Sequence, residues 1–136
     1  MGLTVLDAGV IIALLDDSDA HHREARTALA AARERGDRFV VPVSAYAETL
    51  VAPFRQGVAM AEVVDEFLDA LPAGIEPASR QIARRAAELR ATHGNRLRLP
   101  DALVVATADV LHADRILTTD AGWPPMDLRV DVVPRP

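Results

Sequence analysis

The chain has 136 residues, a length typical of one domain that buries its own core without disulfides or structural metal ions. Half of the residues are hydrophobic and 26% are charged, which excludes a disordered or fibrous protein, and the net charge of −5 argues against a generic nucleic-acid coat. There is no cysteine and all 15 basic residues are arginine, which excludes thiol, zinc–cysteine and lysine-dependent chemistry such as Schiff-base or P-loop catalysis.

The first half of the chain predicts two strands, each followed by helices. In order, we expect a strand at residues 3–6, a short buried helix at 9–15, a helix at about 20–35 and a strand at 39–43. Ser44 is placed to cap the next helix, and Pro53 is expected to end or kink it.

The second half continues the alternation of helices and strands. We expect an amphipathic helix at 58–71, a short strand near 74–76, helices at about 78–92 and 97–111, and strands at 115–118 and 130–133. Short apolar strands that alternate with helices favour an α/β fold around a mainly parallel sheet that is buried on both faces. Because no linker or repeat divides the chain, we predict a single domain over residues 1–136.

Four acidic residues are predicted to meet at one edge of this sheet. Asp7 and Asp120 follow strands, Asp101 lies in the first turn of a helix, and Glu48 lies about one turn into the helix after the second strand. Taken singly, Asp101 could be a helix-end charge and Glu48 a solvated helix residue. Converging carboxylates repel unless a cation neutralises them, and a cluster without thiolate or histidine suits Mg²⁺ or Mn²⁺.

Four segments, in this order and spacing, carry a resemblance to a known family: VLDAGVIIALLDDSDAHHREARTAL, VPVSAYAETL, LRLPDALVVATA and RILTTDAGW. Together they resemble a PIN-domain ribonuclease of the kind that serves as the toxin of VapBC toxin–antitoxin pairs. The resemblance implies a three-layer α/β/α sandwich, a divalent metal ion at the acids and hydrolysis of RNA phosphodiester bonds. It also implies products with 5′-phosphate and 3′-hydroxyl ends.

Carried over position by position, the resemblance makes Asp7, Glu48, Asp101 and Asp120 the catalytic acids. Mg²⁺ or Mn²⁺ is expected on Asp7, Asp101 and Asp120, where it activates a water in line with a phosphorus. Thr118 is a polar neighbour and a candidate substrate contact. For Glu48 three roles stay open: direct binding of the ion, binding through water, or positioning of the attacking water.

The sequence departs from the family pattern at two positions. The family often has serine or threonine two residues after the first acid, where this chain has Gly9. A basic residue is frequent where this chain has Thr119. The first departure removes a side-chain hydroxyl that would support Asp7, and the second puts a substrate contact from position 119 in doubt.

Residues 80–98 concentrate positive charge, with six arginines and one acid. One interpretation is a helix surface whose charge is matched by acids elsewhere in the fold. The other is a rim that holds RNA phosphates, for which Arg96 and Arg98 are the best candidates because they lie nearest to Asp101.

Other polar residues have ordinary explanations. Asp109, eight residues beyond Asp101 on the same predicted helix, cannot share an ion with it and is expected to form a surface ion pair. His21 and His22 are adjacent and point about 100° apart on a helix, so we expect a solvated helix start and no chelating pair.

Partners follow mainly from the resemblance. It implies that residues 44–71 receive a segment of a VapB-like antitoxin and that the protein forms a homodimer, although an ordinary core would give the same periodicity. With no leader and no apolar stretch long enough to span a bilayer, we expect a cytoplasmic location and no membrane partner. The alternatives are a catalytically silent PIN scaffold that binds RNA or protein, and a housekeeping RNA-processing nuclease.

Overall fold

A five-stranded sheet forms the centre of the fold. The computed structural model describes residues 2–136, and its strands lie in the order β3-β2-β1-β4-β5, with all four neighbouring pairs parallel. The strands are β1 (Leu3–Leu6), β2 (Arg38–Pro42), β3 (Ala73–Glu76), β4 (Arg115–Thr118) and β5 (Val130–Val132).

Helices cover the sheet, so the predicted α/β/α sandwich is confirmed. They are α1 (Ala8–Leu15), α2 (His22–Glu34), α3 (Val43–Gln56), α4 (Val58–Ala70), α5 (Arg80–His93) and α6 (Leu99–Val110), with a short 3-10 turn at Gly94–Arg96. All four residues of β1 are buried, as expected for a central parallel strand that is covered on both faces. None of the helices formed by residues 2–136 has the length and apolar character needed to cross a bilayer.

The order of the strands creates a switch point beside β1. The chain places β2 and then β3 on one side of β1, and later adds β4 and β5 on the other side. Val5 of β1 pairs with Val40 on one side and with Ile116 on the other. In open parallel sheets, the crevice outside the carboxyl ends of the strands at such a point is the usual ligand site.

The start and end of α3 differ from the prediction. The helix begins at Val43 directly after Pro42, so Ser44 lies inside it and does not cap it. Pro53 also lies inside α3, and the prediction that it ends the helix is wrong. Proline lacks an N–H donor and its ring crowds the carbonyl group one turn earlier, but here it lies in the last turn, where Gly57 N donates to Pro53 O at 3.1 Å and closes the helix.

At the amino ends of the central strands, the negative charge of Asp37 is balanced by hydrogen bonds and by two arginines. Asp37 accepts hydrogen bonds from Thr4 Oγ1 at 2.8 Å and from Gly2 N at 3.2 Å, and it pairs with Arg35 at 3.1 Å and Arg115 at 3.7 Å. Burial raises the pKa of Asp37, but the hydrogen bonds from Thr4 and Arg35 outweigh burial and hold that pKa below its ordinary value. This end of the sheet therefore balances its own charge.

Two smaller predictions have opposite outcomes. Asp109 forms the expected ion pair, with its carboxylate 2.9 Å from Nε of Arg85. The adjacent histidines are half-buried, so the prediction of a solvated helix start is wrong: His21 Nδ1 lies 3.1 Å from Val133 O, and His22 Nδ1 lies 2.7 Å from Ala13 O. Both rings join the start of α2 to the main chain of neighbouring segments.

Candidate active site

Asp7 lies at the carboxyl end of the central strand and begins the helix that follows. Its Oδ1 accepts a hydrogen bond from Ala8 N at 2.8 Å, which caps α1, and its Oδ2 accepts one from Thr118 Oγ1 at 2.8 Å. The residue is only 8% exposed. Burial raises the pKa of Asp7, and the hydrogen bonds from Thr118 and Ala8 reduce this rise without cancelling it.

The end of β4 supplies the support for Asp7 and a second acid. Thr118 is fully buried, and its hydroxyl also accepts a hydrogen bond from Asp120 N at 3.1 Å. Asp120 is exposed, and its Oδ1 accepts from Gly122 N at 2.7 Å. Thr118, a candidate substrate contact from the sequence, is thus buried in this structure, and its hydroxyl is used by hydrogen bonds with Asp7 and Asp120.

Helices α3 and α6 bring the other two acids towards Asp7. Glu48 on α3 is exposed as a residue. Partial burial of its carboxylate, and then the charge of Asp7, raise its pKa. Asp101 is half-buried in the first turn of α6, which has Pro100 at its start and no side-chain cap at Arg98. The structure thus brings together the four predicted acids, which come from four separate segments.

The electrostatics of Asp101 define the centre of this cluster. Its pKa is raised from 3.8 to about 6, first by burial and then by the negative charges of Asp7, Asp120 and Glu48. Arg98 is the basic side chain that opposes this rise, and it acts on Glu48 in the same direction. Because Arg98 acts on two of these acids, the negative charge at this end of the sheet is less fully balanced than the charge around Asp37 at the amino end.

The donor set fits a hard divalent cation in its chemistry. Carboxylate oxygens without sulfur or imidazole are the ligands that Mg²⁺ and Mn²⁺ prefer, and a cation would relieve the repulsion that raises the pKa of Asp101. Among residues 2–136, however, no group of three or more His, Asp or Glu side chains is arranged to hold a metal ion as it stands. An ion would therefore draw the carboxylates closer together than they lie here.

The two candidate arginines occupy different electrostatic positions. Both Arg96 and Arg98 are exposed, and the buried Leu97 separates them. Arg98 acts on the pKa values of Glu48 and Asp101, whereas Arg96, in the 3-10 turn before α6, is not among the charges that shift the pKa of Asp7, Glu48 or Asp101. The structure therefore brings Arg98 to the acidic cluster and gives no such link for Arg96.

An apolar groove lies between α1, α3 and α4. Its lining is mainly aliphatic and includes Ile12, Leu15, Ala52, Pro53, Met60 and Val63. Asp16 and Asp17 also line it and provide negative charge. Helices α1 and α3, which form its walls, also carry Asp7 and Glu48 nearer their amino ends.

One contact at the cluster was missed by sequence reasoning, which treated positions 9 and 119 as unrelated. A Cβ atom built on Gly9 would overlap Thr119 Oγ1, and it would also lie 3.4 Å from Thr119 Cβ. The threonine side chain therefore fills the space that the glycine leaves. The signal was present as two departures from the family pattern, but nothing in a single sequence indicates that the two positions touch.

Comparison with known proteins gives one family. The sequence model described as "PIN domain" matches residues 4–127, which is most of the chain and includes all four acids. No curated protein matches the sequence.

Solved structures share the fold at low sequence identity. A toxin–antitoxin complex from Klebsiella pneumoniae matches with a TM-score of 0.69 and 22% identity over 90% of this chain and 96% of that one. VapC20 of Mycobacterium tuberculosis, described as a sarcin–ricin loop cleaving toxin, matches with a TM-score of 0.69 and 17% identity over 83% and 86%. VapBC-1 from nontypeable Haemophilus influenzae matches with a TM-score of 0.74 and 16% identity over 96% and 97%.

Proposed function

Because the chain belongs to the PIN domain family, we propose that it is a Mg²⁺- or Mn²⁺-dependent endoribonuclease and the toxin of a type II toxin–antitoxin pair. The observation that carries the proposal is the cluster of Asp7, Glu48, Asp101 and Asp120, in which burial and then the charges of the other three acids raise the pKa of Asp101 to about 6. A purely structural role does not explain why four acids from distant segments share so little positive charge.

The acids divide the work of binding a cation. Asp7 is the fixed member, since both of its oxygens accept hydrogen bonds and its position at the end of β1 leaves little freedom. Asp101 and Asp120 complete the proposed ion site from α6 and from the segment after β4. A divalent ion bound there supplies an acidic water for attack on phosphorus and positive charge to offset that of the phosphate.

Glu48 is proposed to position the attacking water. Glu48 is the exposed acid on α3. Its pKa is raised by partial burial of the carboxylate and by the charge of Asp7, which makes it a better proton acceptor than an ordinary glutamate. A carboxylate that is exposed on one side and close to Asp7 on the other can hold a water between the solvent and the ion site.

The substrate is proposed to be RNA, held in part by Arg98. An exposed guanidinium beside four carboxylates can bind a phosphate in bidentate fashion and also reduce the repulsion between the acids and the substrate. The arginine concentration in residues 80–98 extends positive charge away from this point along α5. Thr118 has no substrate contact in this proposal.

The partner is proposed to be an antitoxin whose apolar segment lies in the groove between α1, α3 and α4. Apolar side chains at the groove are unusually exposed for a folded domain, with Met60 41% and Val63 45% accessible. Asp16 and Asp17 favour an apolar segment that also carries a basic residue. Three of the matched structures, from Klebsiella, Rickettsia and Haemophilus, are described as toxin–antitoxin assemblies. Homodimerisation is proposed as well, through other exposed apolar residues.

The test is cleavage of a mixed cellular RNA pool by purified protein with Mg²⁺ or Mn²⁺. Asp101→Asn keeps the shape of the side chain and removes the charge, so we expect cleavage to fall by at least about 100-fold, as expected for loss of an ion ligand. Asp109→Asn is the matched control, because Asp109 lies on the same helix and pairs with Arg85 away from the cluster. A chelator should abolish cleavage by the wild-type protein.

The outcomes separate the proposed function from its alternatives. Discrete fragments that are lost with Asp101→Asn and with chelator, but kept with Asp109→Asn, support the nuclease. Folded, antitoxin-free protein that cleaves nothing in this pool would favour a silent scaffold. Cleavage that Asp101→Asn leaves unchanged would reject the assignment of the site.

A further inference from the structure

Thr119 takes up the space that a side chain at position 9 would occupy. Gly9 is the second residue of α1, in the turn that Asp7 caps. A Cβ on Gly9 would overlap Thr119 Oγ1 and lie 3.4 Å from Thr119 Cβ and 3.6 Å from Cγ2. The hydroxyl is thus the part of the threonine that comes closest to the helix, and it lies over the first turn of α1.

Thr119 lies beside two acids of the cluster in the fold, through the first turn of α1 and through the chain. Asp7 begins the helix below it, and Asp120 is the next residue in the chain. The adjacent hydroxyl of Thr118 is buried and already joins Asp7 Oδ2 and Asp120 N. The side chain of Thr119 is half-buried, so water can reach it.

We propose that Thr119 is a positioning residue of the ion site, whose hydroxyl holds a water of the bound divalent cation beside Asp7. The inference rests on the proposed function. Gly9 is its structural counterpart, because any side chain there would push the hydroxyl of Thr119 out of this position. Thr119, which follows β4, provides the hydroxyl, and Gly9 leaves room for it at the first turn of α1.

The competing explanation is packing alone, in which the threonine methyl and Cβ merely fill the space above Gly9. Thr119→Val separates the two, since valine has almost the same shape and lacks the hydroxyl. Thr119→Ser keeps the hydroxyl and removes the methyl. Packing alone predicts that serine is the more damaging change, whereas a positioning hydroxyl predicts that valine is.

A second pair of variants moves the hydroxyl to the other side of the contact. In Thr119→Ala/Gly9→Ser the threonine hydroxyl is removed, and the serine at position 9 supplies a hydroxyl from the other side of the contact. Thr119→Ala/Gly9→Ala is its matched control, with the same relief of overlap and the same added Cβ but no hydroxyl. The two double variants differ by a single oxygen atom.

Mn²⁺ binding measured by titration calorimetry is the first readout, RNA cleavage the second, and thermal unfolding reports whether each variant is folded. We expect Thr119→Val to weaken Mn²⁺ binding by about tenfold, the effect of losing one hydrogen bond near a charged group. Thr119→Ser should stay within about twofold of wild type, and the serine double variant should bind more tightly than the alanine double variant.

Each result decides the matter. Equal Mn²⁺ binding by wild type and folded Thr119→Val would overturn this inference and leave the proposed function standing. Equal binding by the two double variants would do the same. Wild-type protein that binds no Mn²⁺ would overturn the proposed function, and this inference with it.

Discussion

Asp7 and Thr118 lie 111 residues apart in the sequence, and their side chains are joined by a hydrogen bond of 2.8 Å at the carboxyl end of two neighbouring strands. The same hydroxyl accepts a hydrogen bond from Asp120 N at 3.1 Å. One buried oxygen atom thus connects the acid after β1 to the acid after β4, and fixes both segments relative to each other.

We predict that Thr118→Val destabilises the fold and weakens cation binding together. The isosteric change leaves Asp7 Oδ2 and Asp120 N without this partner, which we expect to lower the free energy of unfolding by about 1–3 kcal/mol. It also removes a hydrogen bond that lowers the pKa of Asp7, so that pKa should rise further. Denaturant titration and the pH dependence of Mn²⁺ binding measure the two effects. Thr118→Ser, which keeps the hydroxyl, should retain most of the binding.

The stability of the metal-free protein should fall as pH rises from about 4 to 6. The pKa of Asp101 is raised from 3.8 to about 6 in the folded state, so within this window the folded protein keeps a proton that the unfolded chain releases. Asp7 and Glu48 shift in the same direction. After allowance for solvent screening of a half-exposed group, Asp101 contributes on the order of 1 kcal/mol.

Asp101→Asn tests this pH dependence directly. In chelator at pH 7 the variant should unfold at a higher temperature than wild type, because one of four repelling charges is gone, and the difference should vanish near pH 4. A substitution that abolishes activity and yet stabilises the protein is expected where the acids of a site repel one another in the folded state. If the two proteins show the same unfolding temperatures from pH 4 to 7, the charge repulsion inferred at Asp101 is absent.

Arg98→Gln is predicted to affect cleavage more than Arg96→Gln. Arg98 opposes the rise in the pKa of Glu48 and of Asp101, and as a phosphate contact it should contribute to the salt dependence of RNA binding. Its loss should reduce the slope of log affinity against log salt by about 0.7, the value for one contact on a single strand. Binding of a short RNA at several salt concentrations gives this slope, and an equal change in both variants would contradict the distinction.

A charge placed in the apolar groove should block the antitoxin without affecting catalysis. Val63 lines the groove on α4, whereas Val58 on the same helix is exposed outside it. Val63→Glu is expected to weaken binding of the protein encoded by the neighbouring reading frame by more than about tenfold, since a desolvated charge beside Asp16 and Asp17 has no partner. Val58→Glu should leave binding intact. Pull-down of the co-expressed pair measures this, and RNA cleavage should be the same for both variants.

Much of the fold was predictable because its elements follow strong local signals. The strands at Leu3–Leu6 and Arg115–Thr118 lie where short apolar runs predict them, and helices α2 and α5 have clear amphipathic spacing. The start of α3 was not predictable in the same way. Serine is a residue type that often caps helices, which is why Ser44 was predicted to be a cap. The strand before it ends in Pro42, however, and after the extended backbone of Pro42 the helix already begins at Val43.

The places of the acids in the fold were predictable, since Asp7 and Asp120 follow strands and Asp101 and Glu48 lie on helices, but the contacts around them were not. That Thr118 is buried beneath Asp7, and that Thr119 lies over Gly9, depends on how β1 and β4 pair in the sheet. The half-burial of His21 and His22 likewise depends on distant carbonyl groups at Val133 and Ala13. Pairings between residues far apart in one sequence leave no local signal.

The position of β4 beside the central strand has a consequence for biosynthesis. Of the five strands, β1 is translated before the others, whereas its neighbour β4 follows only after β2 and β3. A nascent chain that ends before residue 115 lacks Thr118 and Asp120 and leaves one edge of β1 open. The cluster of acids therefore cannot form until Asp120 has been translated, more than a hundred residues after Asp7.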